Sequence, residues 1–120
     1  KKAGLSFRPE TSFSMISKYL LECDMILLMT VSPGFGGQKF MPEVVEKVRL
    51  ARKFCEEKKI RRGGVIADHG DPFDIQVDGG IDLKTARQCV KAGANILVSG
   101  SFIYQQPTLA QGIEALRRCL

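Results

Sequence analysis

Four times along this chain a short apolar or β-branched run breaks at glycine, proline or a capping residue and gives way to apolar residues at helical spacing. That recurrence constrains the fold more than any other feature. A strand-helix-strand repeat brings each strand back to the same end of a sheet and so builds a parallel α/β structure. The first strand is expected over about Ala3 to Phe7, followed by Arg8-Pro9-Glu10 and a helix capped by Thr11 or Ser12, with Phe13, Ile16 and Leu20 on its inner face. Met25-Ile26-Leu27-Leu28-Met29-Thr30-Val31 is a continuous apolar run, the pattern of a strand covered on both sides. A long helix then follows Pro42, with Val44, Val48, Ala51 and Cys55 as its inner stripe. The third strand ends at Asp78, and Asp82 caps a helix in which Ala86, Cys89 and Val90 face inward and Gly93 closes the last turn. Asn95-Ile96-Leu97-Val98 is the fourth strand, and the last helix, after Pro107, carries Leu109, Ile113, Leu116 and Leu120.

Each unit is about thirty residues long, so four of them make half of an eightfold β/α barrel, whose usual length is roughly 250 residues. The competing architecture is an open four-stranded sheet, which leaves two bare edges and apolar faces in need of cover. Residues 61–73 interrupt the rhythm, forming a connection longer than most between helix and strand. They hold His69, the one histidine of the chain. Because this segment leads into a strand rather than out of one, it is expected as a surface insertion on the face opposite the strand ends. His69 is then neither metal ligand nor base.

Composition limits the function classes. With 44% apolar and 26% charged residues, the 120 residues read as one globular domain without a disordered tract. The net charge is +5, and the basic residues fall mostly between Lys47 and Arg62 on a predicted helix. Only Phe54 is interleaved there for stacking, so a solvated helix face is expected and no nucleic-acid site. Cys23, Cys55, Cys89 and Cys119 form no C-x-x-C pair and lie near or within predicted helices, which favours buried thiols in a reducing compartment over disulfides or zinc. No run reaches the length of a membrane span and no signal peptide is read, so no membrane partner is expected. Lys1-Lys2 stand directly before an apolar strand, and the expectation is that an N-terminal portion is missing. A cytoplasmic setting is expected, with a plastid left open.

The chemistry is expected at the strand ends, since all of them open onto one face in a parallel α/β fold. Ile75-Gln76-Val77-Asp78-Gly79-Gly80 places a carboxylate where a strand stops and the chain must turn. Glycine-rich loops also end the second strand, at Gly34-Phe35-Gly36-Gly37, and the fourth, at Gly100-Ser101. Bare backbone lets N–H groups approach a phosphate, and a helix start adds positive potential. Tight turns alone would also account for either loop, but together the loops suggest a phosphate cradle with Asp78 between two grips. A carboxylate so placed is a turn or capping residue, or else a base for proton abstraction next to a carbonyl.

The runs Met29-Thr30-Val31-Ser32-Pro33-Gly34-Phe35-Gly36-Gly37-Gln38-Lys39-Phe40, Val77-Asp78-Gly79-Gly80, and Ala92-Gly93-Ala94-Asn95 through Val98-Ser99-Gly100-Ser101 resemble the signatures of ribulose-phosphate 3-epimerase, in order and in spacing apart from the insertion. The resemblance implies a (β/α)8 TIM barrel of which this chain covers the C-terminal half, four βα units corresponding to strands 5 to 8. It implies an isomerase of the pentose phosphate pathway that interconverts D-ribulose 5-phosphate and D-xylulose 5-phosphate by inverting carbon 3 through an enediolate. It further implies that Asp78 is one acid/base group and a metal ligand. Gly34, Phe35, Gly36, Gly37, Gly79, Gly80, Gly100 and Ser101 would contact the phosphate and substrate, and Met29 would line the site. The implied cofactor is a divalent metal ion (zinc, iron, manganese or cobalt), which needs ligands this chain lacks. Inversion requires acid/base groups on both faces of the carbon, so the chain alone is expected to be inactive and to need a missing N-terminal half-barrel or a second copy, with a homo-oligomer expected. Two alternatives stay open: another phosphate-binding barrel enzyme, such as a decarboxylase or isomerase, and a noncatalytic half-barrel that binds phosphate and pairs with itself.

Overall fold

A computed structural model of the protein describes residues 1–32 and 39–120. Strand β1 (Gly4–Phe7) leads to α1 (Phe13–Ser17), β2 (Met25–Met29) to α2 (Glu43–Glu57), and β3 (Asp74–Asp78) to α3 (Leu83–Ala92). Strand β4 (Ile96–Val98) leads to a short α4 (Ser101–Tyr104) and then to α5 (Leu109–Arg117). The four strands form one sheet in the order β1-β2-β3-β4, with every neighbouring pair parallel. Adding each new strand on the same side is how an eightfold β/α barrel is wound, whereas a doubly wound sheet reverses direction at a switch point. The chain is therefore a partial TIM barrel.

Register decides which side chains share a face. Leu28 lies beside Val77 and Val77 beside Leu97, while Met29 lies beside Asp78 and Asp78 beside Val98. Side chains alternate across a strand, so these two rows belong to opposite faces. On the first face Ile26, Leu28, Ile75 and Val77 are at most 2% exposed, and each such side chain contributes about 1.5–3 kcal/mol by leaving water. The helices cover this face with Val44, Val48, Ala51 and Cys55 of α2, the stripe expected from spacing, and with Thr85, Ala86, Cys89 and Ala92 of α3. On the other face Leu27, Met29, Gln76, Asp78, Ile96 and Val98 are half-buried.

That asymmetry corrects one expectation. Among the described residues the apolar run from Met25 is fully buried on one face only, the face covered by α2 and α3. A second correction concerns α5. Of the expected inner stripe only Leu116 is buried, at 6% exposure, against 52% for Leu109, 40% for Ile113 and 61% for Leu120. Ile113, Leu116 and Leu120 instead flank an apolar groove with Ile96, Leu97 and Ile103 along the outer edge of β4. Periodicity places the stripe on one side of the helix, but burial needs a neighbour on that side.

The basic residues of α2 divide into two sets. Lys53 lies 3.9 Å from Glu57, and Arg49 pairs with Glu46, in the solvated manner expected. Lys47 and Arg52 turn inward. Lys47 donates to the carbonyls of Pro9 and Thr11 in the loop after β1, and burial lowers its pKa. Arg52 donates to the carbonyls of Gly93 at 2.9 Å and Phe73 at 2.8 Å, tying α2 to the entrances of β3 and β4.

The insertion folds back on itself, with Ile60 bridging Ile66 and Arg61 bridging Pro72 in antiparallel fashion. Arg62 holds Asp71 at 2.7 Å and Asp74, the first residue of β3, at 3.0 Å. The insertion therefore lies at the strand starts, the end of the sheet opposite Asp78, as expected for His69, which is exposed there.

Asp82 caps α3 in a reciprocal box: its carboxylate accepts the Thr85 N–H at 2.8 Å, and the Thr85 hydroxyl accepts the Asp82 N–H at 2.9 Å. The Thr85 N–H holds the carboxyl below its ordinary value of 3.8. Replacing Asp82 by alanine is expected to cost about 1 kcal/mol. A carboxyl whose pKa is lower in the folded state stabilises fully above its unfolded value and loses that contribution as the pH falls through the folded one. Melting curves of Asp82→Ala and the parent should therefore differ at neutral pH and converge in acid below 3.8. An equal gap at both ends would rule out the charged cap.

Candidate functional site

The exits of β2, β3 and β4 are joined at one end of the sheet. Parallel strands end in backbone groups that need partners, and Thr30 supplies several: its N–H donates to the Asp78 carbonyl at 2.8 Å, and its own carbonyl accepts the Met41 N–H at 2.7 Å. Asp78 is the last residue of β3, on the sheet face left open by the helices, with Met29 of β2 on one side and Val98 of β4 on the other. Met29, which the resemblance would have line the site, is the register neighbour of Asp78.

Gly79 and Gly80 follow at φ +123° and +64°, conformations that suit glycine. A Cβ on Gly79 would sit 2.5 Å from Val31 Cγ2 and 2.9 Å from the Val31 nitrogen, and one on Gly80 would sit 3.1 Å from the Phe40 nitrogen. These glycines are thus used first to let the exit of β3 close onto the segments after β2. Gly100 is different, because a Cβ there would have nothing within 4 Å. Among the described residues, no packing demand explains its bareness.

Three hydroxyls secure the turn after Asp78. Thr30 Oγ1 donates to the Gly79 carbonyl at 2.5 Å, Thr85 Oγ1 to that of Gly80 at 2.8 Å, and Ser99 Oγ to that of Ile81 at 2.7 Å. Beside the turn runs an open groove with Gly80, Ile81 and Lys84 on one wall and Ser101, Phe102 and Gln105 on the other. Gly80 and Ser101 therefore share one opening. Gly79, Gly100 and Asp78 adjoin its walls in sequence without lining it. Gly34, Phe35, Gly36 and Gly37 lie outside the described residues.

Reading the sequence overlooked Thr30, Thr85, Ser99 and Lys84. A hydroxyl at the end of an apolar strand, where a strand residue would be expected to be aliphatic, is the signal that marks Thr30 and Ser99. Lys84 sits in the first turn of α3, where a cation opposes the helix dipole.

Among the described residues, no three His, Cys, Asp or Glu side chains come together as a metal site. The residues present do not by themselves fit the implied metal. Burial pushes the thiols of Cys55 and Cys89 up to about 11, so both stay protonated at neutral pH.

Comparison with known proteins places this arrangement. A profile described as "Ribulose-phosphate 3 epimerase family" matches residues 1–104. The chain is 40% identical to the ribulose-phosphate 3-epimerase of Synechocystis sp. over 117 residues, 98% of this chain and 46% of that protein. It is 43% identical to the protein of that name from Chlamydia muridarum over 108 residues, 90% of this chain and 43% of the relative. With the Bacillus subtilis protein of that name the identity is 37% over 116 residues, 97% of this chain and 49% of the relative. The chain spans about half the length of the curated relatives it matches.

Proposed function

The chain belongs to the ribulose-phosphate 3-epimerase family, and from that premise we propose that it forms strands five to eight of an epimerase barrel interconverting D-ribulose 5-phosphate and D-xylulose 5-phosphate. The observation that carries this is the position of Asp78: at the exit of β3, on the open face, flanked by Met29 and Val98 and next to the groove shared by Gly80 and Ser101. Asp78 acts as one acid/base group at carbon 3. Gly79, Gly80, Gly100 and Ser101, with Gly34, Phe35, Gly36 and Gly37, hold the phosphate and substrate, and Lys84 adds a positive charge to one wall. A divalent metal in the complete barrel would take Asp78 as the ligand this chain offers.

One carboxylate cannot invert a carbon, because a base acting from one side returns its proton to that side. The isolated chain is therefore inactive and needs the other four strands. The uncovered sheet face and the apolar groove along β4 support this, since both are surfaces of the kind a barrel interior and its next unit would cover. A second copy of the chain is the other occupant those surfaces admit, giving a homo-oligomer. Four free cysteines, three of them buried, support a reducing, cytoplasmic setting.

The test is complementation. The purified chain should show no epimerase turnover, and adding the separately expressed N-terminal half of a relative should restore it. Turnover by the chain alone, removed by Asp78→Ala, would overturn the need for another half. Size-exclusion chromatography decides the second occupant, since a stable monomer excludes self-pairing.

A further inference from the structure

Three consecutive carbonyls after Asp78 accept from hydroxyls that come from three different elements: Thr30 at the exit of β2, Thr85 in α3 and Ser99 at the exit of β4. The geometry of the peptide bond turns this into a statement about the amides. A trans peptide is planar, so the N–H of one residue points away from the carbonyl of the residue before it. With the carbonyls of Gly79, Gly80 and Ile81 drawn inward, the amides of Gly80, Ile81 and Asp82 point the other way. The Asp82 amide is taken by Thr85 Oγ1 at 2.9 Å. The amides of Gly80 and Ile81 donate to no acceptor among the described residues. Both residues line the groove with Lys84 and Ser101. Two successive N–H groups facing one opening beside a lysine form an anion-binding arrangement.

We infer that Thr30, Thr85 and Ser99 are positioning residues, which leave the substrate untouched and lock the turn after Asp78 in the conformation that presents the Gly80 and Ile81 amides to the substrate's phosphate. The inference rests on the reading of the groove as the phosphate site and adds the device that sets it. Thr30 carries most of the effect. It is wholly buried, it lies away from the groove, and its backbone N–H also holds the Asp78 carbonyl. Thr30→Val keeps the shape and removes the donor, so the Gly79 carbonyl loses its partner and its peptide is free to rotate. Thr30→Ser keeps the donor and gives up a methyl group.

The experiment follows backbone amide signals of the chain by NMR while inorganic phosphate is added. In the parent chain the Gly80 and Ile81 signals should shift. Thr30→Val should bind phosphate about tenfold more weakly, and Thr30→Ser should return to within about twofold of the parent. Thr85→Val, which frees the Gly80 carbonyl and with it the Ile81 amide, should disturb the Ile81 response most. Ser99→Ala frees the Ile81 carbonyl at the far end of the same turn and should also weaken phosphate binding, and it carries the test with Thr30→Ser if the valine variant does not fold. Parent-like phosphate binding by both Thr30→Val and Ser99→Ala, with the same amides shifting, would overturn the inference and leave the phosphate reading standing. Parent amides that ignore phosphate would remove that reading and the inference with it.

Discussion

An Asp78→Asn variant of the assembled barrel is expected to lose about a thousandfold in kcat, within the span that general acid/base groups contribute. The amide is nearly the same size but cannot take up or return a proton. Folding should be unaffected, because the Asp78 side chain makes no hydrogen bond or ion pair among the described residues and only its backbone carbonyl ties the strand ends together. KM should change little, since the groups proposed to hold the phosphate are other residues. A sharper signature is solvent exchange. With one of two acid/base groups lost, the remaining one can still remove and return the carbon 3 hydrogen on its own side. Deuterium should therefore enter one epimer without inversion. Turnover within tenfold of the parent would show that Asp78 is not an acid/base group.

Replacing Gly79 by alanine is expected to destabilise the fold by about 3 kcal/mol, from overpacking and a strained backbone together. At φ +123° an alanine is already disfavoured, and its Cβ would meet the Val31 side chain at 2.5 Å and the Val31 nitrogen at 2.9 Å. The side chain could rotate away, but the backbone atom is held by the neighbouring strand exits. For a domain of this size the loss corresponds to a fall in melting temperature of about 12 °C. Gly100→Ala is the control, because nothing lies within 4 Å of its Cβ. It should shift stability by less than about 0.5 kcal/mol while obstructing whatever approaches that backbone. Equal stability losses at the two glycines would refute the distinction between a glycine that packing requires and one that it does not.

Much of the fold was legible in residue order. The spacing of Val44, Val48, Ala51 and Cys55 marks the buried side of α2, and all four are buried. Gly93 closes α3 at φ +123°, the left-handed position a helix end favours. Asp78 followed by two glycines marks a strand exit, and β3 ends there. The candidate site was less legible. Thr85, buried in α3, holds the Gly80 carbonyl, yet it lies in a helix whose inner stripe read as Ala86, Cys89 and Val90. Thr30 sits within what reads as an unbroken apolar strand, where a hydroxyl passes as a β-branched filler.

What the sequence determined by itself is the set of local choices: where strands stop, which side of a helix is apolar, and which positions require glycine. These follow from φ/ψ sterics, capping and periodicity, which act within a few residues. Only the tertiary structure decided which apolar surfaces are covered and which carbonyls the distant hydroxyls of Thr30 and Ser99 reach. Thr30 and Gly79 are 49 residues apart, and only parallel pairing of β2 with β3 brings them together. Along the edge of β4 the stripe of α5 stays exposed at Leu109, Ile113 and Leu120, because burial depends on the neighbour that folding supplies.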